Sequence, residues 1–178
     1  MADIFEAMHD LHFLRDALEG ADFVLDLLRD KLPSKAMIVH LYDINQKTFV
    51  VVKARVPGTG VVGMREREGD GLLTSAARTG KGVLLDTASD QRWSKERFQA
   101  AGHEPRSLMI APVRQGQRYL GAIEVADHVD GQPFSETELY GVTYIAEQFG
   151  EFVAERGVKL TSADTGGFGA LDASGRRP

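Results

Sequence analysis

The sequence predicts an α+β domain with a mainly antiparallel sheet of five or six strands. Terminal helices cover one face; loops and short helices cover the other. Three observations carry this reading. Two pairs of β-branched and aromatic runs flank short polar turns: "MIVHLYDI" (37–44) and "TFVVVKAR" (48–55) around "NQK", then "SLMIAPVR" (107–114) and "RYLGAIEVAD" (118–127) around "QGQ". Turns that short join only antiparallel strands. Helical apolar periodicity brackets these strands at both ends of the chain. Between the hairpins lie two long irregular stretches, 56–81 and 87–106, a length that usually signals function or mobility.

The first thirty residues read as helix. Ile4, Leu11, Leu18 and Leu25 repeat at seven, and Ala7, Leu14, Ala21 and Leu28 follow three later. These are a and d positions of a heptad seam. Gly20 interrupts at a cost of about 1 kcal/mol relative to alanine and marks a kink or break. Phe23, Val24 and Leu27 then widen the apolar face, so the second half packs on its own domain while the first is freer to pair. Residues 1–19 are thus a candidate dimerisation helix, with Ile4, Leu11, Leu14 and Leu18 as its interface, ahead of a domain over 20–157. Pro33 stops the helix.

A glycine-rich loop runs from Pro57 to Gly71, and its charge run "MREREG" reads as solvated surface. A short helix over Leu72 to Thr79 ends at Gly80, a C-cap residue. "GVLLD" (82–86) is a further strand, and "KERFQAA" gives a helix turn inside the second irregular stretch. The last helix spans 136–156, with Leu139, Val142, Ile145, Phe149, Phe152 and Val153 in one stripe. Ser135 and Glu138 form a capping box, and Phe134 with Leu139 a hydrophobic staple. Residues 158–178 have little to bury and read as a disordered tail.

The totals narrow the function. A chain of 178 residues fits one domain. The absence of cysteine removes disulfides, thiolate metal sites and thiol nucleophiles. A net charge of −5 argues against a nucleic-acid face. No apolar run reaches the roughly 20 residues of a membrane span, and an acidic N-terminus is unlike a signal peptide. The expectation is a cytoplasmic protein with neither nucleic acid nor membrane as partner.

"GTGVVG" (58–63) matches the dinucleotide fingerprint GxGxxG, and Asp86 stands where a ribose-binding acid would. The fingerprint needs a helix starting directly from its glycines after a parallel strand. Here "MREREGDG" intervenes and the preceding strand belongs to a hairpin. An NAD-binding oxidoreductase is therefore a remote alternative.

The stretch "SLMIAPVRQGQRYLGAIEVADHVDGQPFSETEL" resembles the GAF domain family: an S-apolar-x-x-P-apolar strand, a tight turn, a G-x-apolar-x-apolar strand, then F-S/T-x-x-D/E-apolar entering the last helix. The resemblance covers about residues 20–156. It implies a GAF/PAS-like fold and a regulatory module in which a small molecule often binds over the sheet and dimers often form through terminal helices. Cysteine-based chromophore attachment and methionine sulfoxide reduction, known in the family, lack their residue here. Ala126-Asp127-His128 stand where the cyclic-nucleotide subset has Asn-Lys, which puts that ligand in doubt.

Candidate pocket residues are His40, Asp86, Trp93, Phe98, Arg106, Ser107, Met109 and Glu124. His40 and Glu124 interrupt apolar strands and need partners. They either meet as a satisfied buried pair, line one pocket, or sit on a solvated edge. "DTASDQRWSKERF" is either a lid over a ligand or a loop anchored by Trp93. His9 and His12 share a helix face but read as solvated rather than metal-binding. No catalytic set and no cofactor is named by the residues. The expected function is a non-catalytic regulatory module, sensing a small molecule or mediating homodimerisation and docking of a signalling partner. A ligand-free interaction module is the alternative.

Overall fold

The computed structural model describes residues 2–158 and 160. Among these, the elements are α1 (Ala2–His9), a 3-10 turn (Asp10–Phe13), α2 (Ala17–Lys31), β1 (Ser34–Asp43), β2 (Thr48–Arg55), β3 (Arg65–Arg67), α3 (Leu72–Thr79), β4 (Val83–Asp86), α4 (Lys95–Ala101), β5 (Ser107–Gln115), β6 (Arg118–His128) and α5 (Glu136–Arg156). The strands form one sheet in the order β3-β2-β1-β6-β5-β4, every neighbour antiparallel. The α+β expectation and both hairpins hold.

Period-two alternation gives the sheet two apolar faces. Met37, Val39, Leu41, Met109, Ala111, Ile123 and Val125 point to one core, shared with α2 and α5. Ala36, Ile38, Leu108, Ile110, Ala122 and Ala126 point to the other, roofed by α3 and by Trp93 and Phe98. A bulge in β2 opposite Val39 and His40 changes the register. Beyond it Lys53 aligns with Val39, on the helix side, and pairs with Asp22 of α2 at 2.8 Å.

The capping box of α5 is present: the Ser135 hydroxyl accepts from Glu138 N, and the Glu138 carboxylate accepts from Ser135 N. Gly80 ends α3 in the left-handed conformation, as its position after Thr79 implied.

Four expectations are corrected. The N-terminal helix breaks at Leu14–Asp16, not at Gly20: Asp16 caps α2, its carboxylate accepting from Leu18 N and Glu19 N at 3.0 Å. Gly20 lies inside α2 because α5 passes too close for a side chain; a Cβ there would meet Phe152 Cε1 at 2.5 Å. The seam is not left free for a partner. Leu11 is fully buried in this chain's own core, with Ile4, Leu14 and Leu18 packed half-buried against it, and the expected division at 19/20 falls within α2. The 57–71 stretch is not loop throughout: "MREREG", whose Arg65 and Arg67 are exposed as a solvated run should be, contains edge strand β3, paired with Thr48–Val50.

The glycine run is explained by close backbone approach. Gly58 N donates to Ala101 O at 2.8 Å, and a Cβ at Gly58 would sit 2.6 Å from Ala100 O. No helix starts at Gly60, and β2 and β4 lie far apart in the sheet, so the strand–helix junction of a dinucleotide site is missing. The predicted tail falls outside the described residues, apart from Val158 and Leu160, which pack on the helix-side core.

Gly20→Ala tests the α2–α5 contact. Helix propensity alone would gain about 1 kcal/mol, whereas overpacking costs about 1–3 kcal/mol. Overpacking at a Cβ separation of 2.5 Å should win, lowering the urea midpoint. A raised midpoint would show that the helices part freely.

Candidate functional site

On the roofed face, His40 and Glu124 meet. Register pairs Ile38 with Glu124 and His40 with Ala122, so the two polar residues are diagonal neighbours on one side of the sheet. His40 Nε2 lies 2.5 Å from Glu124 Oε1. Arg97 reaches down from α4: Nη2 donates to Glu124 Oε2 at 3.0 Å and Nη1 to Glu66 Oε2 of β3 at 2.6 Å. His40 and Glu124 are each 1% exposed and Arg97 4%.

Burial opposes the Glu124 charge, but the Arg97 guanidinium and the His40 hydrogen bond outweigh it and hold the carboxyl at about 2. Burial pushes the His40 imidazole below its ordinary value, and the Glu124 hydrogen bond only partly offsets this. An ionised carboxylate can only accept, so the network assigns the proton of neutral His40 to Nε2. Nδ1 is then a bare acceptor, with no partner among the described residues. A cleft of about 240 Å³ remains beside His40, Glu66, Ser94 and Arg97.

The other candidates lie toward the β4 edge. Asp86, Arg106 and Ser107 border a half-open cleft of about 860 Å³ together with Lys35, Glu104 and Phe134. Its wall is built by Asp127, a non-glycine residue at φ 53°. The Asp127 carboxylate accepts from Ser107 N at 2.7 Å and Arg106 N at 3.1 Å, and lies 2.6 Å from His103 Nε2. Ser107 Oγ accepts from Phe134 N at 3.2 Å, joining the cleft to the residue before the α5 cap. An adjoining cleft of about 830 Å³ is bordered by Trp93, Phe98 and Arg106.

The eight candidates therefore divide. His40 with Glu124, and Asp86 with Arg106 and Ser107, form two separate groups. Trp93 and Phe98 are buried with ring centroids 6.0 Å apart, the anchored-loop alternative, while still bordering the outer cleft. Met109 is a correction: one residue of strand alternation turns it away from the roof, into the α2/α5 core. His9 and His12 are both exposed. Sequence reasoning missed Arg97, Glu66, His103 and Asp127. The available signal was the buried acid itself: Glu124 inside an apolar strand demands a cation, and "SKERF" supplies one on the adjacent loop.

A model of the GAF domain family matches residues 15–174. No curated protein matches the chain. Among solved structures, the chain is similar to the GAF domain of a phosphoenolpyruvate-protein phosphotransferase from Coxiella burnetii, at 16% identity and TM-score 0.72, covering 85% of this chain and 90% of that one. It is similar to free methionine-R-sulfoxide reductase of Neisseria meningitidis, solved with its substrate, at 16% identity and TM-score 0.71 over 86% and 87% of the two chains. A GAF domain/HD domain protein from Geobacter sulfurreducens matches at 20% identity and TM-score 0.64, over 82% and 97%. At such identities the structural matches show the fold alone.

His40 provides a pH signature. Its folded pKa is lowered, so between that value and about 6.5 the unfolded chain binds a proton that the folded chain does not. Its contribution to stability is complete above about 6.5 and is lost as pH falls below it. Urea midpoints at pH 7.5 and 5.5 should therefore differ more for the wild type than for His40→Gln. An equal drop in both, or an imidazole NMR titration above 6.5, would contradict the assignment.

Proposed function

The chain belongs to the GAF domain family, and we propose that it is a non-catalytic regulatory module of cytoplasmic signalling that senses a small molecule in the cleft beside Asp86, Arg106 and Ser107. One observation carries the reading: the Ser107 hydroxyl accepts the Phe134 amide, so the cleft wall is bonded to the start of the 21-residue helix α5. Occupancy of the cleft would then bias the position of α5, and with it the outer helical face. A ligand shifts such an equilibrium only by its differential affinity for the two positions. The inter-layer space beneath α4 is less suited to a sizeable ligand, because Arg97, Trp93 and Phe98 fill it and leave about 240 Å³. The absence of cysteine argues against the thiol chemistry known among GAF-type reductases. In keeping with a module acting off the membrane, no helix among the described residues is long and apolar enough to cross one.

A second reading, an interaction module working as a homodimer, is favoured by the outer helical face. Phe5 (48% exposed), Phe13 (77%) and Tyr140 (61%) stand exposed there, and Phe5 packs on Tyr144 at 4.4 Å between centroids. The proposed seam is thus the outer aromatic face rather than Leu11.

A thermal-shift panel of nucleotides, amino acids and anions tests the sensing reading. A compound that raises Tm should also move the Phe134 and Ser135 amide resonances, and Ser107→Ala, even when saturated with that compound, should lose the amide response. No stabilising compound, or one that leaves Phe134 unmoved, would reject it. Light scattering of Phe5→Ser/Tyr140→Ser tests the second reading: a halved mass supports the aromatic seam, and an unchanged mass rejects it.

A further inference from the structure

The charges around the Ser107 cleft are balanced and unused. Lys35 and Arg106 contribute two cations; Asp86 and Glu104 contribute two anions. All four are exposed, and none forms an ion pair among the described residues. The remaining ionisable side chains at the cleft, His103 and Asp127, are paired with each other at 2.6 Å. Strand register sets Asp86 opposite Ser107, directly after Arg106, so the free acid and the free guanidinium border the same end of the sheet without meeting.

Resting on the sensing reading above, we infer that this cleft takes a small zwitterion carrying an apolar side chain, the chemistry of a free aliphatic α-amino acid. The carboxylate subsite is the Arg106 guanidinium with the Ser107 hydroxyl. Ser107 Oγ accepts the Phe134 amide, which leaves its own O–H free to donate. The ammonium subsite is Asp86 with Glu104. Asp86 Oδ1 is taken by Ala88 N at 2.8 Å, and its second oxygen remains to accept. Leu84 and Phe134 supply an apolar wall for the side chain.

Charge balance selects this class over its rivals. A nucleotide or inorganic phosphate would bring its anionic charge against Asp86 and Glu104. A polyamine would meet Lys35 and Arg106. A net-neutral ligand with both charges satisfies each pair and introduces no repulsion.

The test uses calorimetric titration and thermal shift of the full chain with three probes: L-leucine, N-acetyl-L-leucine, which lacks the ammonium, and L-leucinamide, which lacks the carboxylate. Leucine should bind and raise Tm, and each truncated analogue should bind at least about tenfold more weakly, through loss of its charge-assisted bonds. Arg106→Gln should weaken leucine by a similar factor, and Asp86→Asn should do so while keeping the cap on Ala88. Both side chains are exposed, so the variants fold. If N-acetyl-leucine or phosphate binds as well as leucine and Arg106→Gln abolishes it, the zwitterion is overturned while the sensing cleft stands. If leucine binds and neither variant weakens it, the site assignment is overturned. If no probe or panel compound binds, the sensing reading falls with it.

Discussion

An ionised carboxylate in the middle of a six-stranded sheet is tolerable only when other groups replace the water it has lost. Glu124 is that carboxylate. Its two oxygens face His40 and Arg97, and the Arg97 charge holds it ionised despite full burial. Neither helix of the opposite layer can reach this face. The cation comes instead from the irregular stretch between β4 and β5, where Arg97 brings α4 down onto the sheet.

Much of the roof follows from this placement. With Arg97 inserted, Phe98 falls into the apolar cluster and Trp93 packs edge-on against it. Arg97 also reaches Glu66, which ties the short edge strand β3 to α4. The end of α4 then sits so close to the 56–63 loop that Gly58 and Gly102 face each other across backbone contact distance, with no room for a Cβ at Gly58. Past Gly102, the chain turns back through His103 and Arg106, where the Asp127 carboxylate gathers it at the start of β5. The outer cleft and its bond to the α5 cap are consequences of that return.

Periodicity made the hairpins and long helices legible. The strands at 48–55, 107–114 and 118–127, the helix over 72–79 and the helix over 136–156 were readable because each alternates or repeats against a buried face. β3 was not, because three charged residues on an edge carry no such signal. The break at Asp16 was hidden by a heptad that continues through it, while Gly20, which looked like the break, answers instead to a tertiary contact. His40 and Glu124 stood out as polar interruptions, yet their distance could not be read without the register. Met109 shows the reverse error: a residue of pocket-like type, in the right strand, on the wrong face. Asp127 was visible only as a departure from a family pattern, and its work on the backbone of Arg106 and Ser107 is a matter of geometry alone.

Glu124 recruits α4 through Arg97. Amide hydrogen exchange of Glu124→Gln, compared residue by residue with the parent chain, measures this directly. Exchange should accelerate across 95–101 well ahead of α5 and the central strands, because the neutral side chain no longer holds Arg97. Unchanged protection in α4, or a uniform loss over the whole chain, would contradict the claim that this buried charge positions the roof.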